Sequence, residues 1–216
     1  MGKQLDITIL TDNPGSWMMS YVPDLIDRLH RRDHNVIWAY NWDEVPGGDI
    51  LVMLSCERIL SRRQLARHKS NVVVHPSNLP FGRGWSPLAW QVLEEKTSIP
   101  ICLFEAVTKV DTGPVYLRDV IRTEGNELNE ELKQKQGEKT VEMVIKYVDN
   151  YPMKGEQQEG SGTYYPRRTP ADSELEMDRT LGELFNQLRV VDNDRYPAWF
   201  QYRGKTYVLK IYEKSI

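Results

Sequence analysis

Five short apolar runs, spaced by helix-forming and turn-forming stretches, limit what this chain can fold into. They are LDITIL (5–10), NVIWAY (35–40), DILVML (49–54), NVVVH (71–75) and IPICLF (99–104). Each is long enough for a buried strand and too short for a buried helix. After the first run and a turn cluster, Trp17, Tyr21, Val22, Leu25, Ile26 and Leu29 fall on one helical face. Pro23 interrupts that face and removes a backbone donor, which predicts an irregular first turn or a kink. SRRQLARH (61–68) and SPLAWQVLEEK (86–96) read as further helices. Strands alternating with helices predict an α/β fold whose doubly wound, mostly parallel sheet is covered on both faces.

Beyond Phe104 the pattern changes. VDTGPVYLRDVIR (110–122) reads as a turn and an alternating hairpin or edge strand, and residues 127–150 as a long charged helix ending at NYP. KGEQQEGSGT (154–163) is the one low-complexity stretch and reads as a linker over the surface. The expected division is a main domain over 1–153, a linker over 154–163 and a small α+β appendage over 164–216. In the appendage, SELE (173–176) fits a capping box, and AWFQYRGKTYVLKIY (198–212) reads as two strands around Arg203-Gly204. The aromatic-rich tail suggests a homodimer. No internal repeat is present.

A chain of 216 residues can build one sizeable core. Its 28 Lys and Arg against 31 Asp and Glu give a slightly acidic balance, which argues against a nucleic-acid partner. Cys56 and Cys102 sit in apolar, strand-like contexts without metal-ligand spacing; both are expected to be buried free thiols. No metal site is expected. The N-terminal apolar run is too short for a signal peptide and no segment reaches the length of a membrane span, so a soluble cytoplasmic protein is expected.

Three of the four histidines, His30, His34 and His68, lie in polar contexts and read as solvated surface. His75 follows three valines and closes a buried strand, at the edge where open α/β sheets bind ligands. Its alternative is a core histidine hydrogen-bonded to a loop carbonyl. Asp111 opens the DTG turn after the last apolar run; it reads either as a turn aspartate bonding its own backbone, with Gly113 at positive φ, or as a carboxylate that orients His75. The turn TDNPGSW is placed to meet ligand phosphates, which makes Asn13, Gly15, Ser16 and Trp17 candidate substrate contacts. It carries no GxGxxG, the GRG at 82–84 lies in the wrong unit, and GxxxxGK[ST] is absent, so neither a nicotinamide cofactor nor an ATP loop is expected. Trp85, Trp90 and Trp199 are further candidates for ligand walls. In YYPRR, Arg167 and Arg168 could hold a phosphate or nucleotide, or simply be solvated.

HPSNLPFGRGWSPLAWQVLE (75–94) followed by EAVTKVDTGPVYLRDVI (105–121) resembles the catalytic core of the formyltransferases that use 10-formyltetrahydrofolate. The likeness is nearest to the short sugar N-formyltransferases, of the pseudaminic-acid pathway type, and it spans most of residues 1–212. It implies a Rossmann-like formyltransferase fold, 10-formyltetrahydrofolate as co-substrate, and a nucleotide-linked amino sugar (UDP or dTDP) as acceptor. The family's catalytic Asn, His and Asp map onto Val73, His75 and Asp111, so the Asn position is a departure. Asn78 is the expected substitute, ahead of Asn71, and Ser77 could supply a further donor. The folate pocket is expected from Cys56, Arg58 and Leu60 on one side and Glu105, Ala106, Val107 and Val110 on the other. The alternatives are formylation of an aminoacyl group on tRNA or on a peptide-synthetase carrier, hydrolysis of the formyl-folate, and a non-catalytic folate or nucleotide sensor.

Overall fold

A computed structural model describes residues 3–214. Every apolar run forms a strand: β1 (Asp6–Leu10), β2 (Asn35–Ala39), β3 (Gly48–Met53), β4 (His68–His75) and β6 (Ser98–Glu105), with β7 (Val115–Arg122) on the sheet edge. The six lie in the order β2-β1-β3-β4-β6-β7. The pairings among β2, β1, β3 and β4 are parallel. The fold is the expected α/β type, with one correction. The IPICLF run, read as one more parallel strand, runs antiparallel to β4, and β7 then runs antiparallel to it. The helix between them, α3 (Pro87–Leu93), has 7 residues. It spans about 10 Å, too short to carry the chain back along an eight-residue strand of about 26 Å. The next strand therefore enters from the end at which β4 stops.

Side chains alternate across the sheet, as strand geometry requires. Ile7, Ile9, Ile50, Val52 and Val72 enter the main core, under α1 (Val22–His30) and the long α4 (Asn129–Asp149). Leu10, Leu51 and Met53 face the other side, covered by Trp42, Val45 and Leu60 from short segments and by the partly buried Cys56, Leu65 and Ala106. That thin cover leaves room for a cleft. The irregular entry to α1 is present: a 3-10 turn over Trp17–Tyr21 precedes the helix, and Pro23 sits in its first turn. The 61–68 segment yields only the short α2 (Arg62–Leu65), because β4 begins as early as His68. In consequence His68 is buried beside Thr8, not solvated as its polar neighbours suggest.

In the C-terminal region, α5 (Leu181–Arg189) packs Leu184 and Leu188 against Leu175, Val191 and Ala198. The hairpin of β9 (Ala198–Tyr202) and β10 (Lys205–Leu209) turns at Arg203-Gly204, both at positive φ, as its sequence predicts. The capping box is a correction. Ser173 ends a 3-10 turn, and Leu175 donates its N–H to Trp199 O, which draws the chain out extended. The helix starts later, where Thr180 and Glu183 repeat the same spacing and cap each other. The 154–163 stretch runs over the surface, yet it is bonded at both ends. Glu156 exchanges two backbone hydrogen bonds with Val115, Thr163 N–H donates to Pro80 O, and Thr163 O accepts from Arg83 N–H. Tyr164–Tyr165 (β8) then pairs with Arg83–Gly84 (β5).

Candidate active site

A cleft of about 680 Å³ opens on the thinly covered face at the tip of β4. Its floor is a row of one residue from each of three neighbouring strands, Met53, Val73 and Phe104, in register. Two residues on from Val73, on the same face, comes His75.

His75 is buried at 7% exposure and lines the cleft. Its Nε2 lies 2.8 Å from the carbonyl oxygen of Gly82. A carbonyl only accepts, so Nε2 carries the hydrogen, and in the neutral ring Nδ1 holds the free lone pair. Asp111 Oδ2 stands 4.0 Å from the same Nε2. Because β6 runs antiparallel, it leaves the sheet beside Val72, below the level of His75. The 106–114 segment must fold back over the sheet to bring the aspartate to the imidazole. Asp111 does not bond its own turn; Oδ2 accepts from Gly84 N–H at 2.9 Å.

Two details of the DTG turn differ from the sequence reading. Asp111 itself takes the positive φ, at 53°, and Gly113 does not. Glycine is needed at 113 for close approach, since a Cβ there would overlap the carbonyl oxygen of Glu105. Asp111 shares the left-handed region with Ser55 (φ 52°) and Ser86 (φ 49°), and all three line the cleft. Backbone held in sparse regions gathers where a site over-determines it.

The other candidates divide. Cys56, Arg58, Leu60, Ala106, Val107 and Val110 line the cleft on two sides. Glu105 does not: alternation along β6 turns it away from Phe104, and it accepts from Ser70 Oγ, Asn71 N–H and Tyr116 Oη behind the sheet. Asn13, Ser16 and Trp17 line the cleft, while Gly15 sits at the rim with its carbonyl accepting from Arg195 Nη2. Asn78 and Ser77 are corrections. Ser77 N–H turns back onto His75 O, which throws both residues to the far side of the loop. There Asn78 Oδ1 accepts from Arg118 Nη1 at 2.7 Å, and Ser77 is buried outside the cleft. Asn71 lies behind the sheet with Glu105. Arg167 stacks over Trp85, 4.6 Å from the ring centroid, and both line the cleft. Arg168 also lines it; its Nη1 and Nη2 donate to the carbonyls of Val190 and Asp172, while its buried Nε has no partner among the described residues. Trp90 and Trp199 donate to Pro166 O and Pro170 O and stay outside. Both cysteines are free thiols, but only Cys102 is buried; Cys56 is half-buried where it lines the cleft. Burial, helped by the Asp12 charge, pushes the Cys56 thiol up to about 12, and burial does the same to Cys102.

Sequence reasoning missed several parts of this site. Asp12 accepts the N–H groups of Glu57 and Arg58 and so shapes the 55–60 wall. Gly82, Arg83, Gly84 and Gln158 surround the His75–Asp111 pair. Lys133, Asp192 and Arg195 supply a polar end to the cleft, with Lys133 paired to Asp192. No helix among the described residues is long and apolar enough to cross a membrane.

No family model matches the chain. It is 29% identical over 150 residues to a methionyl-tRNA formyltransferase of Sulfurihydrogenibium sp. (strain YO3AOP1), an alignment covering 66% of this chain and 48% of the relative. The chain spans about half the length of the curated relatives it matches. Among solved structures, a methionyl-tRNA formyltransferase from Clostridium thermocellum superposes with TM-score 0.81 at 21% identity, over 98% of this chain and 94% of that one. A sugar N-formyltransferase from Shewanella sp. FDAARGOS_354 superposes with TM-score 0.72 at 12% identity, over 98% and 99%.

Proposed function

We propose that the chain is a formyltransferase, like the proteins it resembles in sequence and fold, and that its cleft transfers a formyl group from 10-formyltetrahydrofolate to the primary amine of a nucleotide-linked amino sugar. The observation that carries this reading is the convergence of His75 and Asp111, 4.0 Å apart with side chains only 9% and 11% exposed, in one cleft. The walls suit the two substrates. Leu60, Ala106 and Val107 offer an apolar surface to a planar ring system. Trp85 under Arg167 offers a stacking face and a cation to a nucleotide.

The chemistry needs a base for the amine and a proton for the departing folate nitrogen. When the amine attacks the formyl carbon, Nδ1 of His75 is the free lone pair able to take its proton. Nε2 stays bonded to Gly82 O, which fixes the tautomer and the ring plane. The charge that develops on the ring lies beside the Asp111 carboxylate. The same proton can then pass to the folate nitrogen. His75 acts here through Nδ1, because its Nε2 hydrogen is already donated to Gly82 O and is not free for an oxyanion.

The test is a substrate panel. The protein is incubated with 10-formyltetrahydrofolate and with UDP- and dTDP-linked amino sugars, and the products are weighed for a gain of one carbonyl. His75→Ala and Asp111→Asn should each lower turnover on the order of a hundredfold or more. Wild-type turnover in His75→Ala refutes the assigned role. A second reading, formylation of an aminoacyl-tRNA, is favoured by the names of the sequence relatives; charged tRNA in the same panel separates the two.

A further inference from the structure

The GRG tripeptide at 82–84 finds no use in a phosphate loop, yet each of its residues touches the candidate catalytic pair. Gly82 O accepts from His75 Nε2 at 2.8 Å. Arg83 Nε donates to the carbonyl oxygen of Asp111 at 2.9 Å. Gly84 N–H donates to the Asp111 carboxylate at 2.9 Å. The tripeptide is itself held in place. Gly84 packs so closely on β8 that a Cβ would overlap the carbonyl of Tyr165, and Gly82 N–H donates to Thr163 Oγ1 at 2.8 Å.

Gln158, from the segment that composition marks as a linker, closes the arrangement. Its Nε2 donates to Asp111 O at 3.0 Å and to Gly113 O at 2.8 Å, and its Oε1 accepts from Arg83 Nη2 at 2.7 Å. Arg83, Gln158 and the Asp111 carbonyl thus form a closed ring of hydrogen bonds around a residue at φ 53°. Arg83 is 7% exposed, so its cation is committed to this ring.

We propose that Arg83 and Gln158 are positioning residues which hold Asp111 in its left-handed conformation and thereby set the distance and angle of its carboxylate to His75. This rests on the reading of His75 and Asp111 as the reacting pair. It adds that the 154–163 segment is part of the active-site frame, so that the site is incomplete without Gln158, 47 residues downstream of Asp111.

Gln158→Glu is the discriminating variant. It keeps the size and the acceptor for Arg83, but it turns the donor toward Asp111 O and Gly113 O into a second acceptor. Arg83→Lys keeps the charge and loses the fork. The expected result is a fall in kcat on the order of a hundredfold, as for an ångström-scale misplacement, with the KM for 10-formyltetrahydrofolate within about twofold of wild type. A second readout needs no turnover: imidazole 15N NMR, with the His75 signals assigned by their loss in His75→Gln. The His75 15N chemical shifts should move in Gln158→Glu and in Arg83→Lys. Thermal melts screen for folding, and if one variant fails to fold the other decides. Wild-type kcat together with unmoved His75 15N shifts in a folded variant overturns the proposal. Moved His75 15N shifts in a protein that transfers no formyl group leave the frame standing and bring down the functional reading instead.

Discussion

A methyl group at position 113 has nowhere to go, because the Glu105 carbonyl that it would meet is backbone of the central sheet. Gly113→Ala should therefore displace the turn that carries Asp111. We expect a stability loss of ~1–3 kcal/mol, seen in denaturant melts, and a fall in formyl transfer larger than that loss explains. Val73 makes the opposite case. It lies on the cleft floor between Met53 and Phe104 and is only partly buried. Val73→Asn should fold, cost about 1 kcal/mol and leave kcat equal or higher, because an amide there would stand next to the imidazole; a variant that does not fold would make the position part of the core. At this scale the sequence was legible where side chains carry the signal. A histidine after three valines and an aspartate after the last apolar run mark themselves. The carbonyl of Gly82 does not, since a backbone oxygen has no letter in the sequence, and for the same reason the substitute Asn was sought at 78, on the wrong side of a tight turn.

Strands were the most legible elements, because alternation along each one separates core from cleft in residues one can count. The direction of β6 was not legible from its own residues; it follows from the short helix ahead of it. The 154–163 segment was misleading for a related reason. Its Gly, Ser and Gln content is that of a flexible linker, but what orders it lies elsewhere in the chain, on Pro80, Val115 and Arg83. Hydrogen exchange should show this directly. The amides of Glu156 and Thr163, each donated to a backbone carbonyl, should exchange more slowly than those of Gly160 and Ser161, for which no backbone bond is formed. Uniformly fast exchange across 154–163 would return the segment to the status of a linker.

Over the whole molecule, one buried cluster ties the C-terminal region to the main sheet. Arg189, 2% exposed, donates from Nη2 to Glu127 Oε2 at 2.8 Å and from Nε to Glu127 O at 2.8 Å. Lys135 and the N–H groups of Glu124 and Gly125 complete the shell around the carboxylate. Burial alone would raise Glu127, but Lys135 and these donors outweigh it and hold the carboxyl at about 2, down from its ordinary 4.5. A depressed carboxyl contributes stability that is fully present above the unfolded value and is lost as pH falls through the folded one. The melting temperature should decline between about pH 4.5 and pH 2 in the wild type, and less so in Glu127→Gln. That variant leaves Arg189 buried without its carboxylate counter-charge, and should lose about 3–5 kcal/mol at neutral pH. Equal pH slopes in the two proteins would remove Glu127 from the account.

The two deeply protonated thiols have a practical consequence. Cys56 and Cys102 are held as poor nucleophiles at neutral pH, so maleimides and haloacetamides should leave the native chain essentially unlabelled. A single cysteine introduced at the half-open lip of the cleft, for instance in place of Val110 at 38% exposure, would then be the one attachment point for a fluorophore. Occupancy of the pocket by folate or acceptor could be followed by that dye, with neither native cysteine removed.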